Sequence, residues 1–170
     1  TVLPRWQRYR TAGRGGTKAT EFDQPSDRGA AAPPVIIQRL AVMDLEGIGV
    51  GDEVAYALSD YLRDEIHVQA GYEVLSREDL EALARRTSLQ QQAGSCVDTG
   101  CLVDFGKALG TKYMVAGSIS KLGNTYSVSL RLLDTEGDQA GVKNRINERC
   151  RCSEDQLFDV IEKMAGKIVN

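Results

Sequence analysis

Four cysteines, Cys96, Cys101, Cys150 and Cys152, are the residues best suited to covalent or metal chemistry. They fall into two clusters, a C-x4-C pair and a C-x-C pair. An even number permits two disulfides, in three connectivities. Zinc is the competing use of four thiolates, but structural zinc knuckles commonly read C-x2-C and neither spacing here does. The neighbouring carboxylates Asp98, Asp104, Glu148 and Glu154 give no reason to favour a soft metal, and a redox C-x-x-C is absent. Free thiols in a reducing compartment are the third reading. Disulfides are expected, with Cys96–Cys101 as one local bridge. A bridge from Cys150 to Cys152 spans a single residue and would be strained, so cross-pairing of the two clusters stays open.

Other reactive side chains are few. His67 is the only histidine and sits near the end of a helical pattern, where a cation suits the helix dipole. No Ser-His-Asp or Cys-His set can be assembled from it with a second base. Asp44 and Glu46 close an apolar run, at the strand end where open α/β sheets place ligands. Gly47-Ile48-Gly49-Val50-Gly51 follows and opens a helix, but its spacing is G-x-G-x-G and no Walker lysine comes after it. Asp52 and Glu53 would repel a phosphate there. The expectation is no catalytic residue, no cofactor and no metal. A small-ligand or nucleotide-binding sensor or enzyme using the Asp44–Asp52 loop is the alternative.

These residues belong to a chain of 170 with a formal net charge of -3, enough length for one domain with a real core and no strong field for nucleic acid. The charge is uneven. Residues 1–34 carry six cations against three acids, or +3, which leaves -6 for residues 35–170. The first segment is rich in Gly, Ala and Pro and lacks periodicity, so it reads as a basic flexible or extended arm. Within it Arg5, Arg8, Arg10, Trp6 and Tyr9 are candidate contacts, and nucleic-acid binding through the arm is a second alternative. Arg85, Arg86 and the run Gln90-Gln91-Gln92 form a polar stretch that suits a solvated face or the rim of an assembly contact. No apolar run approaches the roughly 20 residues that span a bilayer. No signal peptide is visible, and the first residue is Thr1, so a removed leader and a fragment are the two readings.

Hydrophobic periodicity sets the elements. A mostly apolar run from Val35 to Leu45 predicts a buried strand. Asp52 is placed to cap a helix whose stripe is Val54, Ala55, Leu58, Tyr61, Leu62 and Ile66, ending at Gly71. Tyr72–Leu75 predicts a short strand. Ser76 with Asp79 approximates a capping box for a second helix bearing Leu80, Leu83 and Ala84. A third helix runs from about Asp98 to Leu109 and stops at Gly110. Two long strands, 113–122 and 126–133, flank Gly123-Asn124 as a hairpin turn. The second alternates Tyr126, Val128, Leu130 and Leu132 against Ser127, Ser129 and Arg131, as one-sided burial requires. A further strand covers about 140–149, and Ser153 is placed to cap a last helix with Leu157, Val160, Ile161, Met164 and Ile168 inward. The order β-α-β-α-α-β-β-β-α predicts an α/β (α+β) domain over 35–170, a mixed five-stranded sheet with helices packed on it.

Three blocks in this order carry a family resemblance: Leu40-Ala41-Val42-Met43-Asp44-Leu45 before a Gly-rich turn, Tyr72-Glu73-Val74-Leu75-Ser76-Arg77-Glu78-Asp79-Leu80, and Leu109 to Ile119 followed by Leu130 to Gly137. Over about 36–169 the chain resembles the periplasmic α/β domain shared by the TolB N-terminal region, the curli-secretion CsgG family and penicillin-binding-protein activator lipoproteins. The resemblance implies a non-enzymatic envelope protein, in the periplasm or at the outer membrane. It also implies that the chain binds other envelope proteins and assembles, often as a homo-oligomer or as part of a secretion-related complex. The sequence holds no spare amphipathic hairpin for a CsgG-type pore and no lipidated N-terminal cysteine. Association with the outer membrane or peptidoglycan follows from the resemblance alone.

Overall fold

The computed structural model describes residues 38–87, 96, 98–137 and 139–170. The arm, with Arg5, Trp6, Arg8, Tyr9 and Arg10, lies outside the described residues, as does the glutamine run at 90–92. In chain order the elements are β1 (Arg39–Val42), β2 (Glu46–Ile48), α1 (Asp52–Ala70), β3 (Glu73–Val74), α2 (Arg77–Arg86), α3 (Thr99–Leu109), β4 (Tyr113–Leu122), β5 (Thr125–Asp134), β6 (Gly141–Cys150) and α4 (Leu157–Val169).

The mixed α/β class is the one expected, but the sheet holds six strands rather than five. The apolar run predicted as one strand is broken after Val42. Both halves, β1 and β2, pair in parallel with the same neighbour, β4. At the break Asp44 turns outward, while the Leu45 amide is taken by the buried Ser59 hydroxyl at 2.9 Å. The strand order is β3-β1-β4-β5-β6, with β2 beside β1 along β4. The parallel half comprises β3, β1 and β2 on β4. The rest is an antiparallel meander, β4-β5-β6. Its first turn is the expected Gly123-Asn124, where Leu122 opposes Thr125 and Gly123 has φ 59°, a backbone angle glycine accepts without strain.

Helices lie on both faces. α1 and α4 cover one side, where Leu58, Leu62, Ile161 and Met164 pack on Val42, Val115 and Leu130. α2 and α3 cover part of the other, where Leu80, Leu102 and Phe105 pack on Ala41, Met114 and Leu133. Strand alternation feeds both cores: Val115 faces one and Met114 the other. Gly117 allows a close approach in β4, since a Cβ there would stand 2.2 Å from the Ser129 carbonyl oxygen.

Two of the expected caps are corrected. α1 is capped by the backbone of Gly51 with no side-chain bond, and Asp52 is already inside the first turn, where with Glu53 it favours the helix dipole. α4 begins at Leu157 after Gln156, later than Ser153 could reach. The Ser153 amide and hydroxyl both donate to Gln156 Oε1 instead, and a tight turn over 154–156 intervenes. The Ser76 cap of α2 stands, its hydroxyl accepting the Asp79 amide. Asp98 likewise caps α3 through the Cys101 amide.

Candidate functional site

The Asp44–Asp52 loop is interrupted by β2. Gly47 belongs to β2, so the three glycines do not make one continuous turn between strand and helix. Asp44 is engaged by two arginines. Arg63 donates from Nη2 to Asp44 Oδ1 at 2.5 Å, and Arg77 donates from Nη1 to Asp44 Oδ2 at 2.6 Å. Both arginines also bond Asp60 Oδ1, at 2.6 and 2.7 Å. Arg63 is almost fully buried and donates twice more to the Val42 carbonyl, which ends β1. The Arg77 guanidinium lies 3.5 Å from the centre of the Tyr56 ring. Burial works against the Arg77 cation, but the bond to Asp60 and the charges of Asp44 and Asp60 outweigh it and raise its pKa above the ordinary value.

Two cations and two carboxylates thus close on one another. Each charged group of the cluster has an oppositely charged partner in contact. Sequence reading saw Asp44 but missed Arg63, Arg77 and Asp60. One legible signal was Arg63 directly after the buried Leu62, at helical spacing from Ser59. A shallow groove of about 480 Å³ runs beside the network and is also lined by His67, which is exposed near the end of α1. Among the described residues no three His, Cys, Asp or Glu side chains gather as a metal site would require.

The cysteines pair locally. Cys96 joins Cys101 across the start of α3, and Cys150 joins Cys152 at the end of β6, with Cα–Cα distances of 5.5 and 5.3 Å. The crossed pairing between clusters is not the one this fold makes. Arg85 and Arg86 sit exposed in the last turn of α2, where cations suit the dipole, and Arg85 reaches Glu81 at 3.5 Å.

A different surface stands out among the described residues. β6 is a ten-residue strand at the end of the sheet order, with no further strand beyond it. The register aligns polar side chains on one face of the meander. Glu46, Ser118, Ser129 and Asn147 form one row across β2, β4, β5 and β6. Ile48, Ser120, Ser127 and Arg149 form the next, and Ala116, Arg131 and Arg145 a third. The apolar residues of this face that belong to the α2–α3 core, Ala41, Met114, Ala116 and Leu133, lie toward its other end. The serine rows carry small side chains that are only half-covered. A dent of about 310 Å³ lies between Glu46 and the Arg131–Arg145 pair. Its floor is small side chains, so the surface is flat, hydrogen-bonding and rimmed by arginine. That combination suits contact with another chain.

No family model and no curated protein matches the sequence. Solved structures do. The C-terminal domain of LpoB from Salmonella enterica superposes with a TM-score of 0.55 at 14% identity, over 67% of this chain and 82% of that one. The LpoB C-terminal domain from Escherichia coli gives 0.54 at 15%, over 71% and 88%. Lipoprotein GNA1162 from Neisseria meningitidis gives 0.55 at 13%, over 78% and 96%. At these identities the likeness shows a shared fold.

Proposed function

We propose that this chain is a non-enzymatic module of the bacterial cell envelope that works by binding protein partners. It is periplasmic or associated with the outer membrane, in the superfamily of TolB N-terminal, CsgG-like and penicillin-binding-protein activator domains. The observation that carries the binding role is the serine- and arginine-lined face next to the outer edge of β6, which no strand among the described residues pairs. The fold shared with the LpoB domains and with a lipoprotein supports the envelope setting. The ion cluster at Asp44 supports the non-enzymatic part, because its carboxylates are occupied by arginines. Two local disulfides fit an oxidising compartment.

A photo-crosslinking residue in place of Asn147, on the face, and another in place of Glu81, exposed on α2, tests the role in intact cells. Protein adducts of defined mass are expected from position 147 and not from position 81. No protein adduct at 147 overturns the reading. Self-assembly is part of the proposal, and light scattering of the full chain over a wide concentration range measures it. A constant monomer mass removes that part.

A further inference from the structure

We propose that the edge of β6 and its serine-arginine face take an extended, acidic segment of a partner protein, added to the sheet as a further strand. The inference rests on the partner-binding reading above and names the chemistry of the partner.

Three observations carry it. First, residues 35–170 have a formal charge of -6, yet among the described residues the aligned rows of this face hold Arg131, Arg145 and Arg149 and one acid, Glu46. A cationic face on an acidic domain selects an anionic occupant. Second, Arg145 and Arg149 are exposed and make no ion pair or side-chain hydrogen bond among the described residues, while other arginines of the domain, such as Arg39, Arg63 and Arg77, are paired. Arg131 and Arg145 stand directly opposite each other on the same face. Third, the edge can accept a strand. β6 runs for ten residues, and among the described residues no strand pairs with its outer side.

Strand geometry then fixes the spacing of the partner. Arg145, Asn147 and Arg149 alternate on one face, so Arg145 and Arg149 are about 13 Å apart along the strand. A segment added to β6 places every second side chain on this face. Carboxylates at i and i+4 meet the two arginines, and a residue at i+2 meets Asn147. The alternate positions fall on the other face, next to Ile146, and suit apolar side chains.

The test is a fluorescent ten-residue peptide in which glutamate and valine alternate, titrated into the full chain by anisotropy. A peptide alternating lysine and valine is the comparison. Binding of the acidic peptide is expected, weakening as salt rises, with the basic one at least about tenfold weaker. Arg145→Glu and Arg149→Glu should each cut affinity about tenfold, and Arg85→Glu on α2 should leave it unchanged. Should either variant fail to fold, Asn147→Glu puts a carboxylate between the two arginines and should weaken binding in the same direction. Equal binding of the two peptides, or insensitivity to all three face variants, overturns the proposal. So does equal arginine-dependent binding of phosphatidylglycerol vesicles, or self-association that these variants abolish while the peptide does not bind. Adducts at position 147 without acidic-peptide binding sink this proposal and leave the partner-binding reading standing. Absence of such adducts removes the partner-binding reading and this proposal with it.

Discussion

Arg63 is a charged residue held inside the fold. Its guanidinium is almost fully buried, yet it serves three acceptors: the Val42 carbonyl, Asp44 and Asp60. Removing it leaves a buried carbonyl without its donors, while the two carboxylates, about half exposed, regain water. Arg63→Ala should therefore cost about 2–3 kcal/mol, below the value for a fully buried pair. Arg77→Ala should cost less, about 1–2 kcal/mol, because it bonds carboxylates only and Arg63 still neutralises them. Urea unfolding of both variants checks the order, and equal losses would contradict it. Glu148 offers a pH test. Lys167 donates to it at 2.6 Å, and that bond together with the lysine charge holds the carboxyl below its ordinary 4.5. The pair stabilises the fold above the unfolded pKa, and the contribution fades as pH falls through the lower folded value. In Lys167→Met the Glu148 titration, followed by carboxyl NMR, should move up toward 4.5.

At the scale of elements, two glycines make opposite predictions. Gly117 lies in the middle of β4, where a Cβ would strike the Ser129 carbonyl of β5 and the side chains of Leu130 and Leu45. A backbone atom cannot step aside without breaking the ladder, so Gly117→Ala should destabilise by about 2–3 kcal/mol. Gly51 caps α1 with φ -63° and ψ 143°, which any residue adopts, and nothing lies within 4 Å of its Cβ position. Gly51→Ser should supply the side-chain acceptor that α1 lacks and stabilise by about 0.5 kcal/mol. Thermal melts of the two variants should shift in opposite directions. The edge strand β6 is a further element-scale feature. Lys143, Arg145, Glu148 and Arg149 line it, and such charges guard an open edge against indiscriminate pairing while leaving it available to a complementary strand.

At the scale of the molecule, the sheet is a frame with two unlike ends. The end near β1 and β3 is closed by the Arg63–Asp44–Arg77–Asp60 cluster, and the meander end presents the polar face. The disulfides fasten loops on this frame and do not tie its halves together: they close rings of sequence separation 5 and 2. Short rings remove little chain entropy, so reduction should cost roughly 2 kcal/mol or less per bridge. Non-reducing tryptic mapping checks the connectivity. Cys96 and Cys101 share the peptide 87–107, while cleavage after Arg149 and Arg151 leaves Cys150 joined to the following peptide through Cys152 alone. A fragment linking 87–107 to either of the latter would contradict the local pairing.

Local regularities were legible from residues alone. The alternation of Tyr126, Val128, Leu130 and Leu132 fixed a strand with one buried face, Gly123-Asn124 fixed its hairpin, and Ser76 and Gly110 marked helix ends, because each signal acts over a few neighbours. The placement of Asp52 and Ser153 as caps misled for the same reason: a capping side chain identifies a class of position, while the helix start depends on how the preceding turn packs. What only the tertiary structure decided is non-local. Asp44 meets Arg77 across a sequence separation of 33, through strand pairing and helix docking that no short window contains. The split of one apolar run into β1 and β2 depends on both halves finding β4. The polar face exists because the registers of β2, β4, β5 and β6, including the irregularity between Leu132 and Leu133, bring Glu46, the serines and the arginines into common rows. Alternation assigns a side chain to a face of its own strand, but only the register between strands assembles those faces into a surface.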